Sequence, residues 1–250
     1  MNVFELGILG LIQGFTEFLP ISSSGHLFLA QKFFGFMPNL SLEIWLHVAS
    51  LLAVVLVYWK DILNILVSIW KNNDPQKIGW KLALATICTV PLALIGKKIL
   101  AIEPSIQFVG ITLFCTAGFL WLAEKFRPQT NHQFTWLIAA LTGLVQGIAI
   151  LPGISRSGIT IAFLILVGLN RKDAAKYSFL LSIPTILGGF LLTLKEVETL
   201  PTLNLELGAS LVLAFVASYL SIKWMINLVE KNWLWFVPYC LILGLILQFV

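Results

Sequence analysis

The stretch GLIQGFTEFLPISSSGH at Gly10–His26 returns 133 residues later as GLVQGIAILPGISRSGI at Gly143–Ile159. In both copies an apolar, helix-like run is interrupted by Leu-Pro and then by a Ser-x-Ser-Gly turn, Ser22–Gly25 and Ser155–Gly158. The surroundings are of lipid-grade hydrophobicity, and there a broken backbone is tolerated only where protein buries it or a wet cavity receives it. The two interruptions therefore mark the place where a site is built.

The rest of the chain has the composition of a polytopic membrane protein. Of its 250 residues 58% are hydrophobic and 11% charged, with a mean hydropathy of +0.93, whereas soluble domains carry about 25% charged residues. No stretch reads as a separate soluble domain. The segment Met1–Leu9 carries Glu5 and no basic flank, so it is expected to be a mature membrane segment and not a signal peptide. Cys88, Cys115 and Cys240 stand singly in apolar runs without metal-ligand spacing and read as small core residues. The net charge of +4 comes from basic residues scattered through short loops, which fits orientation in a bilayer and not nucleic-acid binding.

A spanning helix needs about 20 mainly apolar residues. Six runs qualify, near 42–59, 80–100, 104–122, 174–194, 205–222 and 233–250, and the two broken segments occupy about 1–35 and 134–169. The arm Gly25–Gly35 is too short to cross a core of about 30 Å and must turn back. The arms of the second segment are longer, so its re-entrant reading leans on the repeat. Placing Lys60, Lys71, Lys77, Lys81, Lys125, Arg127, Arg171, Lys172, Lys176, Lys223 and Lys231 in the cytoplasm leaves Lys32, Lys97, Lys98 and Lys195 outside, with Arg156 in the second broken segment. This split obeys the positive-inside rule and puts both termini outside. The fold expected is a single all-α integral membrane domain, 1–250, with six transmembrane helices and two re-entrant helix hairpins. Its halves, about 1–122 and 134–250, form an inverted-topology repeat whose broken segments meet near the midplane. The segment 61–73 reads either as an interfacial helix anchored by Trp70 and Lys71 or as an extension of the preceding span.

Ionisable groups at membrane depth are expensive and point to function. Here they are Glu17, His26 and Arg156, with Glu5, Glu43 and His47 less deeply placed. The constant offset sets Glu17 against Ile150, Ser23 against Arg156 and His26 against Ile159, so the backbone is repeated while the chemistry is divided. Ser22, Ser24 and Gly25 in one loop, and Ser155, Ser157 and Thr160 in the other, offer hydroxyls and helix N-terminal N–H groups suited to phosphate. Arg156 supplies a planar fork for phosphate oxygens. Glu17 and His26 can move protons or hold a metal ion, and one of the serines can act as nucleophile. Simpler readings stand beside these: the Ser-rich turns as helix caps, Arg156 as a structural partner of Glu17, His26 as a packed and hydrogen-bonded side chain, and Glu43 and His47 as rim residues. An inverted-repeat transporter or lipid flippase is the alternative function, because such proteins also use broken helices.

At these residues the chain resembles the undecaprenyl-pyrophosphate phosphatase family of bacterial membrane proteins. Gln13–His26 is similar to that family's [E/Q]xxxE segment with its Ser-rich loop and His, and Pro152–Thr160 (PGISRSGIT) to its PGxSRSxxT segment. LEIWLHVASLLAVVLVYW at 42–59 and YSFLLSIPTILGG at 177–189 extend the resemblance over nearly the whole chain. It implies hydrolysis of undecaprenyl diphosphate to the monophosphate, the lipid carrier for peptidoglycan synthesis, in the bacterial plasma membrane, and resistance to bacitracin. It further implies Ser23 as nucleophile, Arg156 gripping the diphosphate, and Glu17 and His26 as essential acid and imidazole, with the nucleophile's role open between Ser23 and His26. Gln13 stands where many relatives carry a second Glu. A neutral amide is the weaker ligand for a hard cation, so a Mg2+ or Ca2+ site at Glu17 and Gln13 leans on Glu17 and the substrate's own phosphates. The partners expected are the bilayer, a polyprenyl diphosphate and a second copy in a homodimer.

Overall fold

The computed structural model describes residues 1–71, 76–99, 104–129, 132–194 and 204–250. Among them there is no strand. In chain order the helices are α1 (Val3–Thr16), α2 (Ser23–Phe33), α3 (Leu40–Val57), α4 (Trp59–Lys71), α5 (Ile78–Ile99), α6 (Ile106–Lys125), α7 (Trp136–Ile148), α8 (Arg156–Leu166), α9 (Arg171–Leu194), α10 (Leu205–Lys231) and α11 (Phe236–Ile246). Five of them, α3, α5, α6, α9 and α10, are long and apolar enough to cross a membrane. Three of their starts are written in the sequence: Asn39, Ser105 and Asn204 each accept the backbone N–H three residues on, which satisfies a donor the helix itself leaves free.

The sixth expected run, 233–250, is not a helix of that length. It opens with a 3-10 turn at Trp233–Trp235, and the 11 residues of α11 follow, with Pro238 in the first turn. In the opposite sense α10 runs past the expected 222 to Lys231, because no Gly or Pro interrupts Lys223–Lys231. The segment after α3 is a separate helix, α4, with no buried residue. The backbone breaks at Tyr58, and Trp59 and Trp70 are exposed, as expected of a helix lying at an interface. The expectation that it reaches 73 falls outside the described residues, as does Lys195 of the outer basic set.

The arms of both broken segments are short. Helices of 14, 11, 13 and 11 residues (α1, α2, α7 and α8) rise about 16–21 Å at 1.5 Å per residue, less than a bilayer core. The second pair is shorter than expected because α8 stops at a glycine: Gly168 takes φ +93°, and the Leu169 N–H returns to the carbonyl of Leu164. Gly35, at the same offset of 133, ends α2 with φ +76°, while the Phe36 N–H returns to Gln31. Both are left-handed C-terminal caps, a conformation that glycine adopts without steric cost.

The repeated GLxQG motif is a packing device. A Cβ on Gly10 would collide with Ser210 of α10, and one on Gly14 with Ala214 and Ala217, so α1 lies backbone to backbone on α10. In the second copy Gly143 faces Ala85 and Cys88, and Gly147 faces Thr89 and Leu92, seating α7 on α5. Close approach of this kind is how helices associate in lipid, where burial of apolar surface gives no advantage. At one end of the bundle charged loops are tied together: Arg171 pairs with Glu124, which also accepts the Trp233 indole N–H, and Lys176 pairs with Asp61.

The glycine contacts make the fold sensitive at named points. Gly143→Val would push α7 off Ala85 and is expected to cost about 1–3 kcal/mol. Gly118→Val on α6, where a Cβ meets nothing within 4 Å, should stay within about 0.5 kcal/mol of the parent. Unfolding of the two variants in detergent micelles measures the difference.

Candidate active site

The two interruptions meet and satisfy each other's backbone. Ser22 caps α2 by accepting the Gly25 N–H at 3.3 Å, and its hydroxyl oxygen also accepts the N–H of Gly153 from the other loop at 3.0 Å. Ser155 caps α8 through the Gly158 N–H at 3.0 Å. The Ser157 hydroxyl donates to the carbonyl of Leu19 at 3.2 Å. From α6, Thr112 donates to the carbonyl of Pro152 and Thr116 to that of Gly153. In a chain read as spanning lipid these bonds are obligatory, since no water reaches the loops from the hydrocarbon side.

Residues placed just after the caps do different work. Ser23 and Arg156 occupy equivalent first positions of α2 and α8, and both reach the same carboxylate. Ser23 Oγ donates to Glu17 Oε2 at 2.6 Å, and Arg156 Nη2 donates to Glu17 Oε1 at 2.5 Å. Gln13, one turn before Glu17, donates its amide N–H to Oε2 at 3.1 Å and is steadied by Ser50 of α3. His47 of α3 brings Nε2 to 3.4 Å from Oε2, with its other ring nitrogen 2.7 Å from the carbonyl of Glu43. Glu17 is 6% exposed, so its charge is satisfied almost wholly by these four side chains. One arm of Arg156 is spare: Nη1 is buried and has no partner.

Glu17, Ser23, His47 and Arg156 line a cavity of about 240 Å³, with Gln13 buried behind them. Glu17, Ser23, Ser24, Glu43, His47, Arg156 and Thr185 make its polar surface, and Leu40, Ile44, Ile150, Ile154 and Ile186 its apolar one. Both repeat-related pairs, Glu17 with Ile150 and Ser23 with Arg156, face this space. The third pair, His26 and Ile159, does not line it. His26 has Nδ1 2.7 Å from the Ser22 carbonyl and Nε2 2.6 Å from the Tyr239 hydroxyl, with the two rings stacked at 5.8 Å. A carbonyl only accepts, so Nδ1 carries a proton, and the neutral ring takes the Tyr239 proton on Nε2. The Ser22 that His26 holds is strained, with φ +71° and ψ +97°, a conformation that costs a non-glycine residue about 1–3 kcal/mol. It sits directly before Ser23.

The residues singled out in the sequence thus divide. Glu17, Ser23, Ser24 and Arg156 come together at the cavity. Ser22, Gly25, Ser155, Ser157 and Thr160 are buried in the framework behind it; the Thr160 hydroxyl lies 2.6 Å from that of Ser178 and donates to the carbonyl of Arg156 at 2.7 Å. Glu43 and His47, read as rim residues, belong to the cavity wall, and Gln31 fixes Glu43 with a 2.7 Å hydrogen bond. Their spacing of one helical turn on an otherwise apolar helix was the available signal. Thr185 and Tyr239 were not singled out, and no local signal in the chain sets them apart.

The donor set bears on a cation. Among the described residues no three His, Cys, Asp or Glu side chains converge as metal ligands. Gln13 Oε1, however, is a buried oxygen without a partner, on the side chain that already bonds Glu17. One carboxylate and one amide oxygen suit an ion such as Mg2+, which keeps water or phosphate as its other ligands.

Comparison with known proteins agrees along the length of the chain. The undecaprenyl-diphosphatase of Methanosphaera stadtmanae is 37% identical over 270 residues, covering 98% of this chain and 97% of that protein. That of Carboxydothermus hydrogenoformans is 41% identical over 258 residues, covering 98% and 95%, and that of Oceanobacillus iheyensis 35% identical over 270 residues, covering 98% of each. A family model described as bacitracin resistance protein BacA matches residues 6–246, and with these relatives it shows that the chain belongs to the BacA family.

Proposed function

We propose that this protein hydrolyses undecaprenyl diphosphate to undecaprenyl phosphate and phosphate, as the names of its relatives indicate. One observation carries the reading: a single buried carboxylate, Glu17, holds a serine hydroxyl at 2.6 Å and an arginine whose second arm is free. That is a nucleophile beside a base, with a cation positioned for the oxygens of the group under attack. An alternating-access transporter has no need of the serine–carboxylate bond.

The chemistry follows from the geometry. Ser23 Oγ forms a bond to the terminal phosphorus as Glu17 Oε2 takes its proton, and the bridging P–O bond breaks with its electron pair leaving on undecaprenyl phosphate. Water then attacks the phosphoserine and the P–Oγ bond breaks; Glu17 returns to Ser23 Oγ the proton it had taken, and the water's second proton leaves on the released phosphate. Arg156 Nη1 and the first N–H groups of α2 and α8 neutralise the equatorial oxygens. His26 acts on the loop: by holding the Ser22 carbonyl it fixes the strained residue that aims Ser23, and with both nitrogens engaged it is the poorer nucleophile. A Mg2+ or Ca2+ ion brought in with the diphosphate would be held by Glu17 and Gln13 Oε1 and would offset the charge of the phosphates. Two carboxylates, Glu17 and Glu43, face one guanidinium in the cavity, so an anionic substrate gains from such a counter-ion.

The same reading places the site in the bilayer. The ion pairs Lys176–Asp61 and Arg171–Glu124 gather the start of α9 with the end of α6 and with the first turn of α4, which follows directly on the end of α3. Helices α3 and α9 therefore run in opposite directions, as inverted copies must. Packing is reciprocal too: α1 lies on α10 of the other half, and α7 on α5. We read this as six crossings, the last made by the whole stretch from Trp233 to Val250, with two re-entrant hairpins in one membrane domain of inverted repeats, and the basic, ion-paired end in the cytoplasm. The cavity is walled by the opposite ends of α3 (Leu40–His47) and α9 (Thr185–Gly189). It therefore serves the outer leaflet of the plasma membrane, with both termini on that side. Drawing down the diphosphate that bacitracin sequesters accounts for resistance.

Ser23→Ala removes one hydrogen bond, about 0.5–1.5 kcal/mol, and should leave a folded protein whose phosphate release from undecaprenyl diphosphate falls at least about 10³-fold. Arg156→Lys keeps the charge and loses the two-armed grip, for a fall of about 10²–10³-fold. Full activity in purified Ser23→Ala would overturn the assignment. Tyr239→Phe, which deletes only the His26 partner, should lower kcat by up to about tenfold with KM little changed.

A further inference from the structure

The head group of a polyprenyl diphosphate fits the polar cavity, but its chain must leave that cavity, and the wall offers few places without side chains. On α9, Thr185 lines the cavity and accepts the Gln146 amide N–H at 2.9 Å. Three and four residues on, on the same helical face, come Gly188 and Gly189. Gly189 also lines the cavity, and a Cβ at either glycine would meet nothing within 4 Å. The next residue on that face, Leu192, is 49% exposed, and its neighbour Leu191 is 59% exposed. A strip one side chain wide thus runs from the hydrogen-bonded Thr185, across two bare backbone positions, to apolar residues at the lipid surface. Pro184 precedes the strip inside α9, where a missing N–H loosens the helix. Beside the strip, the pair Trp45–Phe190, edge-on at 5.7 Å, joins α9 to α3.

Two adjacent glycines in a helix interior cost about 1 kcal/mol each relative to alanine. The glycines of GLxQG offset that cost with helix contacts; Gly188 and Gly189 make no such contact. Resting on the phosphatase reading, we infer that the prenyl chain leaves the cavity across the Gly188–Gly189 notch of α9, and that these two positions set the enzyme's preference for a long isoprenoid over a short one. A long chain must lie along the strip to reach lipid, whereas a short one can stay near the cavity mouth.

The test compares kcat/KM for undecaprenyl and farnesyl diphosphate in the purified, detergent-solubilised protein. Gly188→Leu fills the notch without entering the cavity and favours helix, so the fold is kept. The long-to-short ratio is expected to fall about tenfold, the discrimination one misfitted apolar group commonly yields. The double variant Gly188→Leu/Gly189→Leu should lower it further. Gly118→Leu, the same change at another open glycine, should keep the parent ratio. An unchanged ratio in both notch variants, or an equal drop in the Gly118→Leu control, overturns the inference. A parent protein inactive on both lipids overturns the phosphatase reading and this inference with it.

Discussion

The contact on which the molecule depends is the pair between Glu17 and Arg156, made across 139 residues of chain between the ends of two short apolar helices. Desolvating both charges costs several kcal/mol per ion, and a buried pair is repaid only when further hydrogen bonds use the remaining lone pairs. Here they do: Gln13, Ser23 and His47 complete the shell of Glu17. The pair stabilises modestly and specifies strongly. Of the ways two short hairpins could meet in a greasy interior, one brings every charged atom of Glu17 to a partner.

That arrangement also explains why the loops can be broken at all. Each interruption exposes carbonyl and N–H groups that would cost several kcal/mol apiece in hydrocarbon. Leu19 presents its carbonyl to Ser157, Pro152 and Gly153 theirs to Thr112 and Thr116, and the Gly153 N–H goes to Ser22. Each loop thus supplies what the other lacks, with α6 filling the gaps. Gly153 has no room for a Cβ, which would run into Thr112 and the Val109 carbonyl, and its φ of +93° suits glycine alone. What is left over once this framework is satisfied reaches the cavity: Ser23 and Arg156 stand one place beyond their caps, and their side chains go to Glu17 instead of to their own loops.

Much of this was legible in the sequence. The GLxQG repeats announced helix breaks at fixed offset, and the terminating glycines Gly35 and Gly168 obey the same offset although they lie beyond the quoted motif. The apolar runs gave four spans to within about three residues, while α10 overran its expected end and reached Lys231. The sixth run was misjudged in length because composition alone does not register a 3-10 start such as that at Trp233. In the site, hydrophobic context made Glu17 and Arg156 conspicuous, while Ser22 and Ser155 look identical in sequence to Ser23 and Ser157. Which hydroxyl caps its helix, which joins the framework and which reaches Glu17 is decided by helix phase at the first turn, and that phase appears only when the N-cap is fixed in space. Tyr239 and Thr185 reach the site by tertiary contact across 213 and 39 residues of chain, which no local pattern encodes.

Division of chemistry between two copies of one backbone is a physical necessity for an anionic substrate. Equivalent positions of the two loops face one another, so like residues would meet like. Two arginines at the Ser23 and Arg156 positions would repel in a medium of low dielectric and leave no hydroxyl at either position. A serine at both, with a carboxylate at both Glu17 and Ile150, would place two negative charges beside the incoming phosphates without a fixed counter-charge. With Ile150 in place of a second carboxylate and Arg156 in place of a second serine, these paired positions carry one carboxylate, one hydroxyl and one guanidinium. It also gives the cavity an apolar wall of Ile150 and Ile154 opposite the polar one. A substrate that is phosphate at one end and hydrocarbon at the other needs both walls, and the broken symmetry of the repeat provides them.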